Sequence, residues 1–152
     1  MSLDGPVTLI EQTERSFGAP SPKQRVKGTQ YKDLYTEGPW LSRRGNHYYL
    51  LYAAGGVPEH IAYSMSSKPT GPWTYKGIVM PQLNATGSFT NHCGLATFRG
   101  RDYFFYHTGN LPGGGGFGRS MAVEAFSYDA HGTLPTIMPT RQRVAPTAPS
   151  DP

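Results

Sequence analysis

Two short stretches carry side chains able to do acid–base chemistry: YTEGPW at 35–40, with Glu37, and TNHCG at 90–94, with His92. Glu37 stands between a hydroxyl-bearing residue and a Gly-Pro-Trp turn, just ahead of the apolar run RRGNHYYLLYA at 43–53. A carboxylate in that place is either a solvated loop charge or a proton donor held at the edge of an apolar wall. A second run, FRGRDYFFYHT at 98–108, repeats the same design of a basic-Gly turn followed by a Tyr-rich strand. Glu37 lies eight positions before the turn residue Gly45, and His92 lies eight before Gly100. Equivalent positions in units arrayed about an axis share one rim, so a carboxylate and an imidazole would meet there. That spacing favours the site reading of Glu37 over the solvated one.

The elements that must position these residues follow from the repeat. After the first Tyr-rich run comes HIAYSMSSKPTGPWTYKGIV, a strand, a Pro-Thr-Gly-Pro turn and a strand. After the second comes GRSMAVEAFSYDAHGTLPTI, a strand, an Asp-Ala-His-Gly turn and a strand. Each unit reads as a four-stranded antiparallel meander, the sequence form of a β-propeller blade. The first blade is expected from Glu37 to Met80 and the second from Asn91 to Met138. VTLI at 7–10 and KQRV at 23–26 read as short strands closing an earlier blade. The expected class is therefore all-β, a partial propeller of about two and a half blades over residues 1–140. The stretch 141–152, RQRVAPTAPSDP, reads as a Pro-rich tail or linker stub. On periodicity alone, a β-sandwich with two similar hairpins remains open.

Composition agrees with short strands joined by turns: the 152 residues include 19 Gly and 14 Pro, with 12% aromatic side chains. The net charge of +4 is spread in pairs such as Arg43-Arg44, which argues against a nucleic-acid surface. Neither a signal-peptide h-region nor a membrane-spanning run is visible, so a soluble chain of unknown compartment is expected. A single cysteine, Cys93, excludes an internal disulfide framework and reads as structural.

Other chemistries fare worse. GGGGFG at 113–118 lacks the following helix that a phosphate cradle needs, and reads as a flexible rim loop. The histidines show neither an H-E-x-x-H spacing nor partner cysteines for zinc. His60 and His131 sit near turns and read as solvated, His47 as a surface residue. Tyr48, Tyr49 and Tyr52 read chiefly as packing. Asp102 and Asp129 fall at hairpin turns, where Asp serves turn geometry, and no aspartate of the chain reads as a catalytic base.

Several ordered motifs then carry a resemblance: EGPW, GNHYYLLYA, IAYSMSSKPTGPW, GSFTNHCGL, YFFYHTGNLPGGGGFGRSMAVE and DAHGTLPTI. Together they resemble the C-terminal half of a family 43 glycoside hydrolase, of the β-xylosidase or α-L-arabinofuranosidase type. The resemblance implies a five-bladed propeller and an inverting attack on xylo- or arabino-oligosaccharides, with no nucleic-acid or membrane partner. By that resemblance Glu37 matches the general acid. His92 matches a channel histidine that meets a structural ion, often calcium, directly or through water. Arg119 matches an arginine reaching the sugar, and His107 and Trp40 lie beside the pocket. No cofactor is implied beyond the structural calcium. Trp40 and the Tyr-rich strand would wall the acid. The family's two aspartates belong to earlier blades and have no counterpart here, so the chain reads as the acid half of the enzyme. A non-catalytic sugar-binding module and a purely structural fragment are the competing readings.

About two and a half blades would leave apolar faces open to water, which soluble monomers rarely do. A two-fold homodimer is the expected remedy, with two copies of Glu37 across one funnel.

Overall fold

The structure, a computed structural model, describes residues 5–18, 35–83 and 87–140. Within them lie seven strands: β1 (Glu37–Arg44), β2 (His47–Ala54), β3 (His60–Ser66), β4 (Thr74–Met80), β5 (Gly94–Phe98), β6 (Arg101–Thr108) and β7 (Ser120–Phe126). They form two antiparallel sheets, one of four strands in the order β1-β2-β3-β4 and one of three in the order β5-β6-β7. The four-stranded antiparallel meander expected of the first repeat is thus present, and the second repeat forms three strands of one among the described residues. No helix among the described residues is long and apolar enough to cross a membrane.

Each sheet begins with a tight hairpin, and the two turns differ. Arg44 pairs with His47, leaving Gly45-Asn46 as the loop, with Gly45 at φ 58°. Phe98 pairs with Arg101, leaving Arg99-Gly100, with both residues at positive φ (49° and 72°). Two left-handed residues in a row make the tightest twist-matched hairpin turn, and Arg99 carries the strain of adopting it without being glycine. The glycine is therefore first in one loop and second in the other.

The Tyr-rich β2 is buried on both faces, which explains why it reads as a continuous apolar run rather than an alternating one. Tyr49 and Leu51 enter one core with Ile61, Tyr63, Val79, Phe104 and Tyr106, the layer between the two sheets. Leu50, Tyr52 and Ala54 point the other way, into a second cluster with Ala62, Trp73 and Phe17. All three tyrosines pack as expected, Tyr48 partly buried against the second cluster.

Three expectations need correction. VTLI forms no strand; instead a one-turn helix, α1 (Glu14–Phe17), follows it, capped reciprocally by Thr13 and Ser16. Phe17 at its end meets Tyr52 edge-on, with ring centroids 5.0 Å apart. Second, the stretch after β7 does not add a fourth strand to the second sheet among the described residues. Pro135 and Pro139 cannot donate to a ladder, and the segment runs as a strap across both sheets. Leu134 and Ile137 are buried in the inter-sheet core, and the Ile137 N–H donates to the Val79 carbonyl at 2.6 Å. At its far end Thr140 gives its N–H (2.7 Å) and hydroxyl (2.8 Å) to buried Glu124 on β7, which also accepts from the Tyr106 hydroxyl at 2.9 Å. Third, the Gly-rich loop is tied down: Gly116 donates to the Gly87 carbonyl (2.7 Å) and accepts from the Phe89 N–H (2.9 Å). KQRV at 23–26 and the stretch 141–152 lie outside the described residues.

The strap yields a stability test. Ile137 is 6% exposed and its neighbour Met138 is 58% exposed. Truncating a buried Ile to Ala removes transfer free energy and leaves a cavity, so Ile137→Ala is expected to cost about 2–4 kcal/mol in urea unfolding. Met138→Ala should stay within about 0.5 kcal/mol. Equal midpoints for the two variants would show that the strap does not dock.

Candidate functional site

Glu37 opens β1, and the register shifts between Glu37 and Trp40: Trp40 opposes Leu51, whereas Glu37 opposes Ala53. This bulge adds one residue to β1. Gly38 occupies it at φ 63°, and a Cβ there would stand 2.9 Å from the His92 ring. Only glycine satisfies both the left-handed backbone and that approach. The acid's strand thereby comes close enough for Glu37 Oε1 to lie 3.3 Å from His92 Nε2, an ion-pair contact not aligned as a hydrogen bond.

The bulge also explains why counting from the glycines works. Gly45 and Gly100 hold different loop positions, an offset of one residue, and the extra residue of β1 cancels it. Ala53, opposite Glu37, is six residues beyond His47; His107, next to His92, is six beyond Arg101. The His92 and His107 rings lie 5.7 Å apart, and the His107 N–H donates to Asn91 Oδ1 at 3.0 Å. Burial, then the charges of Arg119 and His92, hold the His107 imidazole below its ordinary pKa, so it is neutral near pH 7. Arg119 directly precedes β7 and its charge reaches both His107 and Glu59. Trp40, 42% exposed, lays its ring beside Gly94 and forms one wall of an apolar cleft of about 350 Å³. Its other walls include His92, Leu95, Phe105, His107 and Met121. All five residues singled out from the sequence therefore converge on one end of the two sheets.

The walls of the acid differ from expectation. The rings of Tyr49 and Tyr52 are committed to the two cores, so the Tyr-rich strand does not enclose Glu37, which is exposed. Tyr35 is the tyrosine that senses it: burial and then the Glu37 charge push the Tyr35 hydroxyl above its ordinary pKa. His60, expected to be solvated, is half-buried and opens β3 opposite Ala54. Cys93 packs against the inter-sheet core, where burial pushes its thiol up to about 12, making it inert. Asp102 accepts from the Thr97 hydroxyl at 2.6 Å; Asp129 accepts from the His131 and Thr133 N–H groups, each at 2.8 Å. Asp129 serves a turn, as expected, whereas Asp102 lies in β6 and pairs across the hairpin with Thr97.

The residue that sequence reading passed over is Glu59. It is 2% exposed, just ahead of β3. Its N–H donates to the Phe89 carbonyl at 3.0 Å, and its Oε2 accepts from the Asn91 N–H at 2.9 Å. Oε1 is buried without a hydrogen-bond partner. Burial pushes the carboxyl up to about 7; the Asn91 N–H opposes this, the Glu37 carboxylate adds to it, and Arg119 opposes it. A signal was available: GGVPEH, like YTEGPW, sets a lone carboxylate beside Gly and Pro where an apolar strand begins, although here it follows them.

Ligand atoms of Glu37, Glu59 and His92 lie within 4.8 Å of one another. Calcium takes about six to eight oxygen ligands. Two carboxyl groups and one imidazole leave most of that shell to water. The donor set suits an ion approached through its hydration shell, not a cage built by protein.

Known proteins resemble the chain over part of their own length. The chain is 24% identical over 131 residues to a beta-xylosidase of Xylanibacter ruminicola, covering 86% of this chain and 37% of that one. It is 30% identical over 103 residues to a xylosidase/arabinosidase of Bacteroides ovatus, covering 68% of this chain and 30% of the relative. A GH43_1 enzyme from Xanthomonas citri, solved with xylotriose, superposes with a TM-score of 0.63 at 33% identity, over 74% of this chain and 33% of that one. The chain thus spans about a third of the length of these relatives. Residues 7–134, most of the chain, match the sequence profile of the glycosyl hydrolases family 43, and with the fold and the clustered site they make this chain a member of that family.

Proposed function

We propose that the chain supplies the acid side of an inverting glycosidase site for xylose- or arabinofuranose-containing oligosaccharides, on two blades of an incomplete five-bladed propeller. The observation that carries the proposal is Glu37 held 3.3 Å from His92 at the mouth of the Trp40–His107 cleft. An inverting site needs a protonated acid at the departing oxygen and a base activating water across the ring, with carboxyls about 6.5–9.5 Å apart. Glu37 is exposed enough to reach a glycosidic oxygen. Trp40 and the apolar cleft offer a surface for the C–H face of a sugar, and Arg119 and neutral His107 offer polar contacts for hydroxyls. The xylotriose complex of the Xanthomonas citri enzyme supports a xylo-oligosaccharide as ligand.

A second reading, sugar binding without turnover, has its own support. The apolar cleft is present without the family's two aspartates, whereas Asp102 and Asp129, the aspartates among the described residues, are engaged in a cross-strand pair and a turn. Association would bear on the difference. Leu41, Phe98 and Met121 expose large apolar side chains (54, 56 and 77%) on the two sheets, which supports a two-fold homodimer of the incomplete ring, with a second Glu37 across the funnel.

Glu37→Gln keeps the shape and removes the transferable proton, so hydrolysis of xylobiose or an arabinofuranosyl substrate should fall by about 10²–10⁴-fold with the melting curve unchanged. Unaltered turnover would remove Glu37 from the mechanism, and absence of turnover in the parent chain, with xylotriose still bound in calorimetry, would favour the binding reading.

If a channel ion is approached through water at His92, calcium should raise the melting temperature and chelator should reverse the rise. His92→Ala should abolish that response. A response that survives in the variant would place the ion elsewhere.

Light scattering behind a sizing column at micromolar concentration should give a dimer mass. A monomer mass would defeat the closed-ring arrangement.

A further inference from the structure

The Gly-rich run GGGGFG at 113–118 carries an aromatic residue that neither core takes up. Phe117 is 69% exposed and Phe89 43%, and their rings meet edge to face, with centroids 5.5 Å apart at 88°. Single exposed apolar residues are ordinary on a surface; a paired aromatic corner on a braced loop is not. Gly113, Gly115 and Gly116 take positive φ (80°, 109° and 56°), and a Cβ on Gly114 would stand 2.5 Å from the Gly109 carbonyl oxygen. Glycine alone meets both demands. The Gly116 carbonyl accepts the Phe89 N–H, and the Phe89 carbonyl accepts the Glu59 N–H. Phe89 stands three residues before His92, and Phe117 two before Arg119. Ligand atoms of Glu59, Glu37 and His92 lie within 4.8 Å of one another, so the aromatic corner sits at the acid's end of the sheets. The walls of the Trp40–His107 cleft include neither ring.

We infer that Phe117 and Phe89 form a stacking platform for the leaving-group end of a xylo-oligosaccharide, so that the site holds more than the one sugar in the cleft. The inference deepens the proposed function and takes the identity of the sugar from it. An acid protonates the oxygen that departs, so the leaving-group sugar lies on the acid's side of the bond. A xylopyranose ring has no hydroxymethyl arm and turns axial C–H bonds to both faces, which suits contact with an aromatic face. At right angles, one ring gives only its edge to the pair, and its own faces stay available. The loop's hydrogen bonds fix the corner before a sugar arrives, so binding adds little ordering cost. Contacts with a remote part of the substrate then help hold the reacting bond in register with the acid.

Calorimetric titration with xylose, xylobiose, xylotriose and xylotetraose, made on the Glu37→Gln chain, reads the platform without turnover. Affinity should rise with chain length. Adding Phe117→Ala should weaken xylotetraose by about 10-fold and xylose by much less, flattening that dependence. Phe117→Leu keeps the apolar bulk without the ring face and should behave like the alanine variant, whereas Phe117→Trp should retain the dependence. Phe98→Ala removes another exposed ring, at the hairpin end of β5, and should leave every affinity unchanged. Equal losses for xylose and xylotetraose, an unaltered chain-length dependence, or no binding of any of these sugars by the Glu37→Gln chain would overturn the inference. A dimer that dissociates in Phe117→Ala with sugar affinities unaltered would overturn it too, and would give the rings to a second copy of the chain. Platform-dependent binding in a parent chain that hydrolyses none of these oligosaccharides would leave the inference standing and count against the glycosidase reading alone.

Discussion

The contact of Gly38 with the His92 ring is the constraint on which the site depends. A side chain at residue 38 would overlap the imidazole at 2.9 Å, and the bulge that carries it sits in the left-handed region at φ 63°. Both demands are met by the absence of a Cβ. Because the two sheets touch there, Glu37 arrives at His92, and the loop before β3 can place Glu59 behind them. Trp40 then leaves the bulge toward Gly94 and packs beside it at ordinary van der Waals distance. The cleft and the ion pair follow from one close approach.

Two buried carboxylates show opposite solutions to the same cost. Glu124 accepts three hydrogen bonds, from Tyr106 and twice from Thr140, and so fastens the strap that closes the inter-sheet core. Glu59 accepts one side-chain hydrogen bond and keeps an oxygen unpaired beside Glu37. A fully partnered buried charge holds structure together. An incompletely partnered one is pushed up in pKa by its burial. Their surroundings, not their residue type, separate the fastened carboxyl from the unfastened one.

Much of this was legible because the sequence repeats itself. The Tyr-rich runs announced both hairpins, and the count back from Gly45 and Gly100 paired Glu37 with His92. That count succeeded through two compensating irregularities, the different loop positions of the glycines and the extra residue of the β1 bulge. The fourth strand of the second sheet was misread because DAHGTLPTI has strand-like residues, and its prolines only show their effect once the ladder demands donors. Glu59 was passed over because a single carboxylate before an apolar strand looks solvated until its burial is seen.

The sequence alone determined the elements: the continuous apolar run of β2, glycine at each hairpin, and acidic and imidazole side chains near strand starts. These are local properties, set by sterics and side-chain alternation within a few residues. Tertiary structure decided which of these groups share an environment. The 3.3 Å contact of Glu37 with His92, the desolvation of Glu59 and the route of the strap join residues 32 to 58 positions apart. Burial and proximity across that span depend on how the two sheets pack, and no local pattern encodes them.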